Sequence, residues 1–300
     1  MSDLEALSPP TGERFVPEVM GDQLIEAEHH ARYRHAMRLV PGRKVLDAGC
    51  GVGWGSALLA AAGASSVVGL DLDAGALADA RERTSAATFV RGDLQVLPFA
   101  AQSFDVVVCY EAIEHVADPH TALDEFRRVL VPDGLLTVSS PNPDVYAHGN
   151  PFHVHEFHPE ELRAELSERF RHATVWQQHS MLASVLLSDD VPPDAPRYDV
   201  ANLASLSMDT ATYSVMDASD AAIPAASPMA ALVSGRQFAE MADQLEAQRD
   251  LIVPLEDRAL DAVRVAGAER DHYRTELDRT LLLLMEAEQE LAKRNGRLEA

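Results

Sequence analysis

The sequence predicts an α/β fold with a mostly parallel sheet, and two observations support this prediction. First, a short apolar strand at 44–48 runs into a glycine-rich turn, and a helix begins directly afterwards at Trp54. Second, β-branched runs alternate with helical patterns further along the chain, as expected when parallel strands are joined by crossover helices. The chain of 300 residues is long enough for one such domain and an appendage.

The predicted elements follow one another in a regular order. Predicted strands lie at 44–48, 67–71, 88–91, 103–109, 135–139, 173–179 and 212–218. Predicted helices lie at 21–39, 54–62, 74–84, 123–130 and 160–170. The strand at 103–109, SFDVVVC, is an almost unbroken apolar run, which is typical of a strand buried on both faces. Pro132, Asp133 and Gly134 predict a turn before the fifth strand.

The segment 44–56, KVLDAGCGVGWGS, carries the clearest functional pattern. Gly49, Gly51 and Gly53 allow a sharp turn and let the backbone approach a ligand without a Cβ in the way. The amides at the start of the following helix favour partial negative charge on that ligand. Asp71 ends the next strand, where a carboxylate can accept hydrogen bonds from ribose hydroxyls.

Four motifs in order resemble those of class I S-adenosylmethionine (SAM) dependent methyltransferases. They are DAGCGVGWG, VVGLDLD, GDLQVLPFAAQSFDVVVCYEAIEHVADP and RRVLVPDGLLTVSSPN. The resemblance implies a Rossmann-like fold: a mostly parallel seven-stranded sheet, helices on both faces, and an antiparallel pair formed by the last two strands. It also implies SAM as the cofactor and methyl transfer as the reaction.

The resemblance assigns cofactor contacts residue by residue. They are Asp47, Gly49, Gly51, Gly53, Asp71, Leu72, Asp93, Leu94 and Glu111. Asp93 would accept a hydrogen bond from the adenine amino group, while the amide of Leu94 meets a ring nitrogen. Glu111 would lie near the methionine end of SAM. Because an N-terminal helix often lies over the cofactor in this family, Arg32 and Tyr33 are candidate lid contacts.

The sequence E-A-I-E-H after the fourth strand predicts a metal site or a metal-free pocket wall. If a helical turn begins there, Glu111, Glu114 and His115 share one face and could hold Mg²⁺ or Mn²⁺. This pattern resembles the metal site of small-RNA 2′-O-methyltransferases and of ubiquinone-pathway O-methyltransferases, in which a later histidine completes the set. Four histidines in the loop after the fifth strand are available for this, namely His148, His153, His155 and His158. In the metal-free alternative, Glu111 faces the cofactor, and Glu114 and His115 are structural.

A loop rich in proline and histidine leaves the fifth strand at the edge where ligands bind in open α/β sheets. It contains His148, His153, His155 and His158. Methyl transfer to a hydroxyl requires an aligned acceptor and removal of its proton. His153 is the first choice as the general base, and His155 is the second. The alternative is a solvated histidine cluster.

The acceptor is indicated by two further segments, NPFHVHEF and GERFVP…EHHARY. They resemble a bacterial methyltransferase subgroup that accompanies glycosyltransferases in surface-polysaccharide pathways. This resemblance implies O-methylation of a sugar or glycan hydroxyl. Two alternatives stay open: a small-molecule acceptor such as a quinone, lipid or secondary metabolite, and a SAM-binding scaffold that acts through its C-terminal helices.

Composition limits the expected partners and location. The formal net charge of −23 argues against general nucleic-acid binding, because that affinity comes mainly from Lys and Arg. Cys50 and Cys109 are expected to be buried and unpaired in a reducing compartment. The sequence shows neither a signal-peptide pattern nor an apolar run of about 18 residues, so we expect a soluble cytoplasmic protein without a transmembrane segment.

Three regions are predicted: a tail at 1–20, the methyltransferase domain at 21–228 and a helical extension at 229–300. In the extension a heptad repeat favours a coiled coil; its leucines are Leu277, Leu284, Leu291 and Leu298. Pro254 should interrupt the helix. We expect self-association, or a partner helix, through residues 233–300. The alternative is an amphipathic helix that folds back on the domain.

Overall fold

The computed structural model describes residues 15–17, 24–146, 150, 152–180, 211–226, 270, 274–277 and 279. The chain divides into two compact units, residues 1–234 and 235–300. The predicted domain boundaries at 20/21 and 228/229 stay predictions.

The described part of the first unit contains five helices and seven strands. The helices are α1 (Leu24–Ala36), α2 (Trp54–Ala61), α3 (Ala74–Arg83), α4 (Pro119–Val129) and α5 (Pro159–Arg169). The strands are β1 (Lys44–Ala48), β2 (Ser66–Asp71), β3 (Thr88–Arg91), β4 (Phe104–Cys109), β5 (Leu130–Pro141), β6 (His172–Gln178) and β7 (Tyr213–Ser219). A 3₁₀ turn, Ile113–His115, follows β4.

The seven strands form one sheet in the order β3-β2-β1-β4-β5-β7-β6. The first five strands in this order, from β3 through β1 to β5, are all parallel. Strand β7 is antiparallel to both β5 and β6. The predicted seven-stranded, mostly parallel sheet and its antiparallel end are therefore confirmed. The strand order reverses between β1 and β4, and the carboxyl ends of strands at such a point form the usual ligand crevice.

The sheet is buried between two layers of helices, which confirms the Rossmann-like arrangement. Val107 of β4 packs on one face with Phe126 of α4 and Leu162 of α5. Val106 packs on the other face with Leu59 of α2. Apolar burial on both faces explains why the central strand has no polar alternation.

The largest difference from the predicted elements is at β5. The sequence predicts a turn at 132–134 and a strand at 135–139, whereas β5 runs from Leu130 to Pro141. Leu130 pairs with Phe104, and the register then shifts before Val106. Residues 131–134 have no partner on β4, so the Pro-Asp-Gly segment forms a bulge, and regular pairing begins at Leu135, where the sequence predicts the strand to start.

Both cysteines are buried and they form no disulfide with each other, as predicted. In the second unit the described residues are helical and exposed, and Leu277 is 60% exposed. Several predictions lie outside the described residues, namely those for Leu284, Leu291, Leu298, Pro254, His148 and the tail at 1–14. The coiled coil therefore stays a prediction. Within the described ranges, no helix combines the length and apolar character needed to cross a membrane.

Candidate active site

The glycine turn between β1 and α2 adopts a backbone that residues with side chains rarely adopt. Gly49, Gly51 and Gly53 have φ angles of 83°, 51° and 75°, in the left-handed region. A Cβ on Gly49 would lie 2.4 Å from the Cβ of Ala112. The amide of Gly49 donates to the carbonyl of Leu70 at the end of β2 (2.8 Å). The turn is thereby fixed against the neighbouring strand.

Asp47 lies buried beneath this turn. Its Oδ1 accepts a hydrogen bond from the Tyr33 hydroxyl (3.1 Å) and its Oδ2 accepts one from the Ser56 hydroxyl (2.6 Å). Burial raises the pKa of Asp47 to about 6, although both hydrogen bonds act to lower it. Because Tyr33 is on α1 and Ser56 is on α2, Asp47 connects both helices to β1. This arrangement fits the supporting role predicted for Asp47.

Asp71 at the end of β2 is positioned by two backbone amides. Gly51 donates to its Oδ2 (2.8 Å), and Asp73 donates to its Oδ1 (2.9 Å). A carboxylate can accept about four hydrogen bonds, so these two contacts are compatible with ribose binding. The next residue, Leu72, is 63% exposed and presents an apolar surface at the same edge.

Asp93 and Leu94 lie in a short turn after β3. Asp93 Oδ1 accepts a hydrogen bond from the backbone amide of Gln95 (2.9 Å), and Asp93 forms an isolated bridge with Val96. Leu94 is buried. Since β1, β2 and β3 are neighbours in the sheet, these residues, the glycine turn and Asp71 follow adjacent strand ends along one edge.

Glu111 follows β4 with a φ angle of 50°, which is uncommon for a residue with a side chain. The Ser139 hydroxyl accepts from the Glu111 amide (3.0 Å) and donates to Glu111 Oε1 (2.9 Å). Arg32 Nη1 lies 3.7 Å from the same carboxylate oxygen. Such backbone strain, about 1–3 kcal/mol, persists where the surroundings over-determine it, and it is frequent at functional sites.

Arg32 lies in a buried polar cluster rather than on the surface of α1. It is 1% exposed, donates to Gln178 Oε1 (3.0 Å), and lies 4.5 Å from the ring centre of Tyr213. Glu28, one turn earlier on α1, accepts a hydrogen bond from the Tyr213 hydroxyl (3.1 Å). The helix is thereby attached to β6 and β7 and also contacts Glu111.

The 3₁₀ turn after β4 brings Glu114 and His115 to His153 in the loop after β5. The backbone amide of Val154 donates to the carbonyl oxygen of Glu114 (2.7 Å). One carboxylate oxygen of Glu114 and one ring nitrogen each of His115 and His153 lie within 4.8 Å of one another. These three residues are called the Glu114 cluster below.

Glu111 is not a member of the Glu114 cluster, although the sequence predicted that it would share a face with Glu114 and His115. The helical turn begins only at Ile113. The left-handed backbone of Glu111 and its contact with Ser139 separate it from that turn. The structure therefore brings Glu114 and His115 together with His153, one of the histidines available to complete the set, but without Glu111.

Glu114 has an unusual environment for a carboxyl group. It is 1% exposed, and neither carboxylate oxygen has a hydrogen-bond partner among the described residues. Burial, together with the nearby charge of Glu111, raises the pKa of Glu114 well above its ordinary value. Buried polar groups are nearly always paired, so this side chain requires an explanation.

The two histidines proposed as bases have different surroundings. His153 Nδ1 lies 2.5 Å from Glu156 Oε1, and its Nε2 lies 2.8 Å from Asn150 Nδ2. Because a carboxylate accepts and an amide nitrogen donates, Nδ1 carries the proton and Nε2 carries the lone pair. His155 pairs instead with Glu161 on α5, at 3.1 Å. The geometry favours His153 over His155.

Residues 46–138 match the family model described as "Methyltransferase domain". This segment of the chain is therefore similar to the methyltransferase domains of that family. This match extends from β1 into β5 and includes the glycine turn, Asp71, Asp93, Glu111 and Glu114.

Comparison with individual proteins agrees with this assignment of the methyltransferase domain. A protein of Mycolicibacterium smegmatis named probable S-adenosylmethionine-dependent methyltransferase is 37% identical over 166 residues, which is 55% of this chain and 64% of the relative. A malonyl-acyl-carrier-protein O-methyltransferase of Erwinia pyrifoliae is 40% identical over 120 residues, 40% of this chain and 42% of the relative. The chain spans about three fifths of the length of the first relatives it matches.

A solved structure shares the fold of the methyltransferase domain. The crystal structure of a SAM-dependent methyltransferase from Thermotoga maritima superimposes with a TM-score of 0.50 at 17% identity. The match covers 66% of this chain and 91% of that chain. At this identity the comparison concerns the fold alone.

The residues of the methyltransferase domain fit SAM, which the family implies as cofactor. The glycine turn has the left-handed backbone of a ligand cradle, and the Asp71 carboxylate is held at the neighbouring strand end. The turn containing Asp93 follows at the next strand. The individual contacts with SAM remain predictions.

Sequence reasoning missed several residues that shape the site. Ser139 contacts Glu111 across a separation of 28 residues, and nothing local in the sequence indicates that contact. Asn150 was likewise overlooked. Glu156 could have been found, because it follows His153 by three residues in H-V-H-E. A carboxylate at that spacing in a loop often engages an imidazole.

Proposed function

We propose that the methyltransferase domain transfers a methyl group from SAM to a hydroxyl oxygen of an acceptor bound at the carboxyl edge of the sheet. One observation carries this proposal: the glycine turn with Asp71 and the Glu114 cluster follow strands of the same parallel edge. The first is suited to hold the cofactor. The second contains groups that can remove or displace a hydroxyl proton.

On the cofactor side, SAM when bound supplies a methyl group activated on a sulfonium sulfur. Gly49 and its neighbours in the turn would allow close approach of the backbone, and Asp71 would accept hydrogen bonds from the ribose. Asp93 and Leu94 would contact the adenine, and Glu111 the methionine end. Glu111 is well suited to this, because Ser139 and Arg32 hold its carboxylate in place.

On the acceptor side, the new C–O bond forms as the C–S bond breaks, the electron pair stays on sulfur, and the acceptor oxygen loses its proton. A hydroxyl is a weak acid, so this proton needs a destination. The Nε2 lone pair of His153 can take it, because Glu156 holds the other ring nitrogen in its protonated form. A divalent cation bound by the Glu114 cluster would instead acidify the hydroxyl.

The acceptor we propose is a saccharide hydroxyl. This choice rests on the resemblance of the histidine-containing loop to glycan-pathway enzymes and on the polar groups of the Glu114 cluster. A small-molecule acceptor is the second candidate, and a specific observation favours it. Phe152 and Val154, on either side of His153, are 53% and 62% exposed and give the edge an apolar rim.

Transfer of a labelled methyl group from SAM into host-cell extract tests the proposed function. The extract is separated afterwards into polysaccharide, small-molecule, RNA and protein fractions, and an Asp71→Ala variant serves as control. We expect label in saccharide material. Label confined to lipid-soluble small molecules would favour the second acceptor class. If the wild-type protein binds SAM in calorimetry but labels no fraction, the proposed transfer is wrong and a SAM-binding scaffold becomes the better description.

A further inference from the structure

We propose that the Glu114 cluster binds a divalent transition-metal cation. One ligand atom from each of Glu114, His115 and His153 lies within 4.8 Å of the others. Bonds of about 2.0–2.2 Å place two ligands of one cation at most about 4.4 Å apart. Small side-chain rotations would therefore bring all three atoms onto one ion.

The carboxylate of Glu114 is the observation that points to a ligand. Glu114 is 1% exposed, and neither of its oxygens has a hydrogen-bond partner among the described residues. A buried carboxylate without a partner is strongly destabilising. A cation would add to the favourable charge of Arg32 and would use the lone pairs, to which no described neighbour donates a hydrogen bond.

Both imidazoles are oriented as metal ligands usually are. His115 Nδ1 lies 3.1 Å from the carbonyl oxygen of Phe152, and His153 Nδ1 lies 2.5 Å from Glu156 Oε1. These oxygens accept hydrogen bonds, so Nδ1 is the protonated nitrogen in each ring and Nε2 keeps the lone pair. Metal-bound histidines commonly donate their other N–H to a carbonyl or carboxylate in this way.

Asn150 marks the position at which a cation would bind His153. Its side-chain amide lies 2.8 Å from His153 Nε2 and donates to the lone pair. Binding of a cation at Nε2 would replace this hydrogen bond. The contact between His153 and Glu156 would remain and would hold the ring orientation.

The donor set selects the type of metal. Two imidazoles and one carboxylate suit Mn²⁺, Fe²⁺ or Zn²⁺, whereas Mg²⁺ prefers oxygen ligands. Of the Mg²⁺ and Mn²⁺ suggested by the sequence pattern, the structure therefore favours Mn²⁺. Glu111 is not a ligand in this assignment, because Ser139 and Arg32 engage its carboxylate.

The role of the ion rests on the proposed function, but its binding does not. Three protein ligands leave coordination positions for the oxygen of an acceptor. An ion there would hold that oxygen and lower the pKa of the hydroxyl, so that its proton could pass to solvent water and a separate histidine base is not needed.

Metal binding is tested on the full chain, stripped with EDTA and without added SAM. Mn²⁺ and Zn²⁺ are titrated by calorimetry, and bound Mn²⁺ is observed by electron paramagnetic resonance. We expect one Mn²⁺ per chain and no displacement by a hundredfold excess of Mg²⁺. Glu114→Gln, His115→Gln and His153→Gln should weaken Mn²⁺ binding more than about 100-fold, and Glu156→Gln about 10-fold, as for an orienting residue.

Two matched controls define the ligand set. His120→Gln removes an exposed histidine that pairs with Glu165 on the surface and should bind Mn²⁺ as the wild type does. Glu111→Gln removes a nearby negative charge but no assigned ligand, and it should weaken Mn²⁺ binding far less than Glu114→Gln does. Glu114→Gln should stay folded, because it replaces an unpaired buried carboxyl by a neutral group of the same shape.

Some results would overturn the proposal. They are the absence of Mn²⁺ and Zn²⁺ binding to folded wild-type protein at millimolar concentration, or equal affinity in wild type and Glu114→Gln. Loss of Mn²⁺ in Glu111→Gln would show that the assigned ligand set is wrong. If Mn²⁺ binds as expected but no acceptor is methylated, the metal site stands and only the proposed function fails.

Discussion

Among single residues, Asp71 combines two tasks at the cofactor edge. It accepts hydrogen bonds from the amides of Gly51 and Asp73, and so fixes the glycine turn. It is also the residue expected to hold the ribose. Replacing Asp71 with Ala should weaken SAM binding by about 1.5–3 kcal/mol, the range for hydrogen bonds to a charged group. Isothermal titration calorimetry measures this directly.

The control for this prediction is the neighbouring residue Asp73. Its side chain caps α3 by accepting from the amides of Gly75 and Ala76. Asp73→Ala should therefore lower the free energy of unfolding by about 1 kcal/mol while SAM affinity stays the same. Unchanged SAM binding in Asp71→Ala would contradict the assignment of Asp71 as the ribose ligand.

Asp47 should make the stability of the domain depend on pH. Burial raises its pKa from 3.8 to about 6, so between these values the folded state binds a proton that the unfolded state does not. The contribution of Asp47 to the free energy of unfolding is therefore greatest below about pH 4 and is lost as the pH rises through 6. At about 1.4 kcal/mol per pKa unit, the change is roughly 3 kcal/mol.

Asp47→Asn isolates this contribution, because the amide cannot titrate and the hydroxyls of Tyr33 and Ser56 can each donate or accept. In urea denaturation between pH 4.5 and 7.5, the stability of the variant relative to wild type should increase with pH. If the free energies of unfolding of the two proteins change with pH in parallel, Asp47 has the same pKa in the folded and unfolded states, and the prediction is wrong.

At the scale of elements, attachment of α1 to the rest of the domain depends on Arg32. Its guanidinium contacts Gln178, Tyr213 and Glu111 in a buried setting. Arg32→Ala should lower the free energy of unfolding by about 3–5 kcal/mol, because removing one partner leaves buried groups of opposite charge uncompensated. Arg34→Ala, at an exposed position of the same helix, should change it by less than about 0.5 kcal/mol.

Circular dichroism during urea denaturation measures both variants. A change below about 1 kcal/mol in Arg32→Ala would mean that apolar packing of α1, rather than the Arg32 contacts, holds the helix in place.

The elements that could be predicted from the sequence are those whose conformation is determined by the residues within the element itself. The apolar run of β4 and the left-handed glycines after β1 require little beyond local chemistry, and both agree with the structure. At β5, Leu130 pairs with Phe104 before the unpaired segment that contains Pro132, Asp133 and Gly134, so the strand begins earlier than predicted. Local propensity could not indicate this pair, because the deciding contact lies on another strand.

The candidate site shows the same limit more clearly. The sequence identified Glu114, His115 and His153 as chemically interesting, but grouped the first two with Glu111. Their actual arrangement depends on the left-handed backbone of Glu111 and on the hydrogen bond from Val154 to the Glu114 carbonyl. Both follow from contacts between distant segments, which residue spacing along the chain does not encode.

For the whole molecule, the division into two units predicts that cofactor binding belongs to the first. Every residue placed at the cofactor edge lies within residues 1–234, and the sheet there has its own core. A chain truncated after Ser234 should therefore unfold cooperatively and bind SAM with a dissociation constant within about threefold of the full chain.

The same truncation tests the predicted role of residues 233–300 in association. The leucine spacing in that segment favours a coiled coil, so sedimentation should show self-association of the full chain and a monomer after truncation. With a net charge of −23, repulsion between copies opposes association, and it weakens as salt screens it. Self-association of the full chain should therefore strengthen between 50 and 500 mM salt. If the truncated chain associates equally well, the interface lies in the methyltransferase domain, and the leucine repeat serves another purpose.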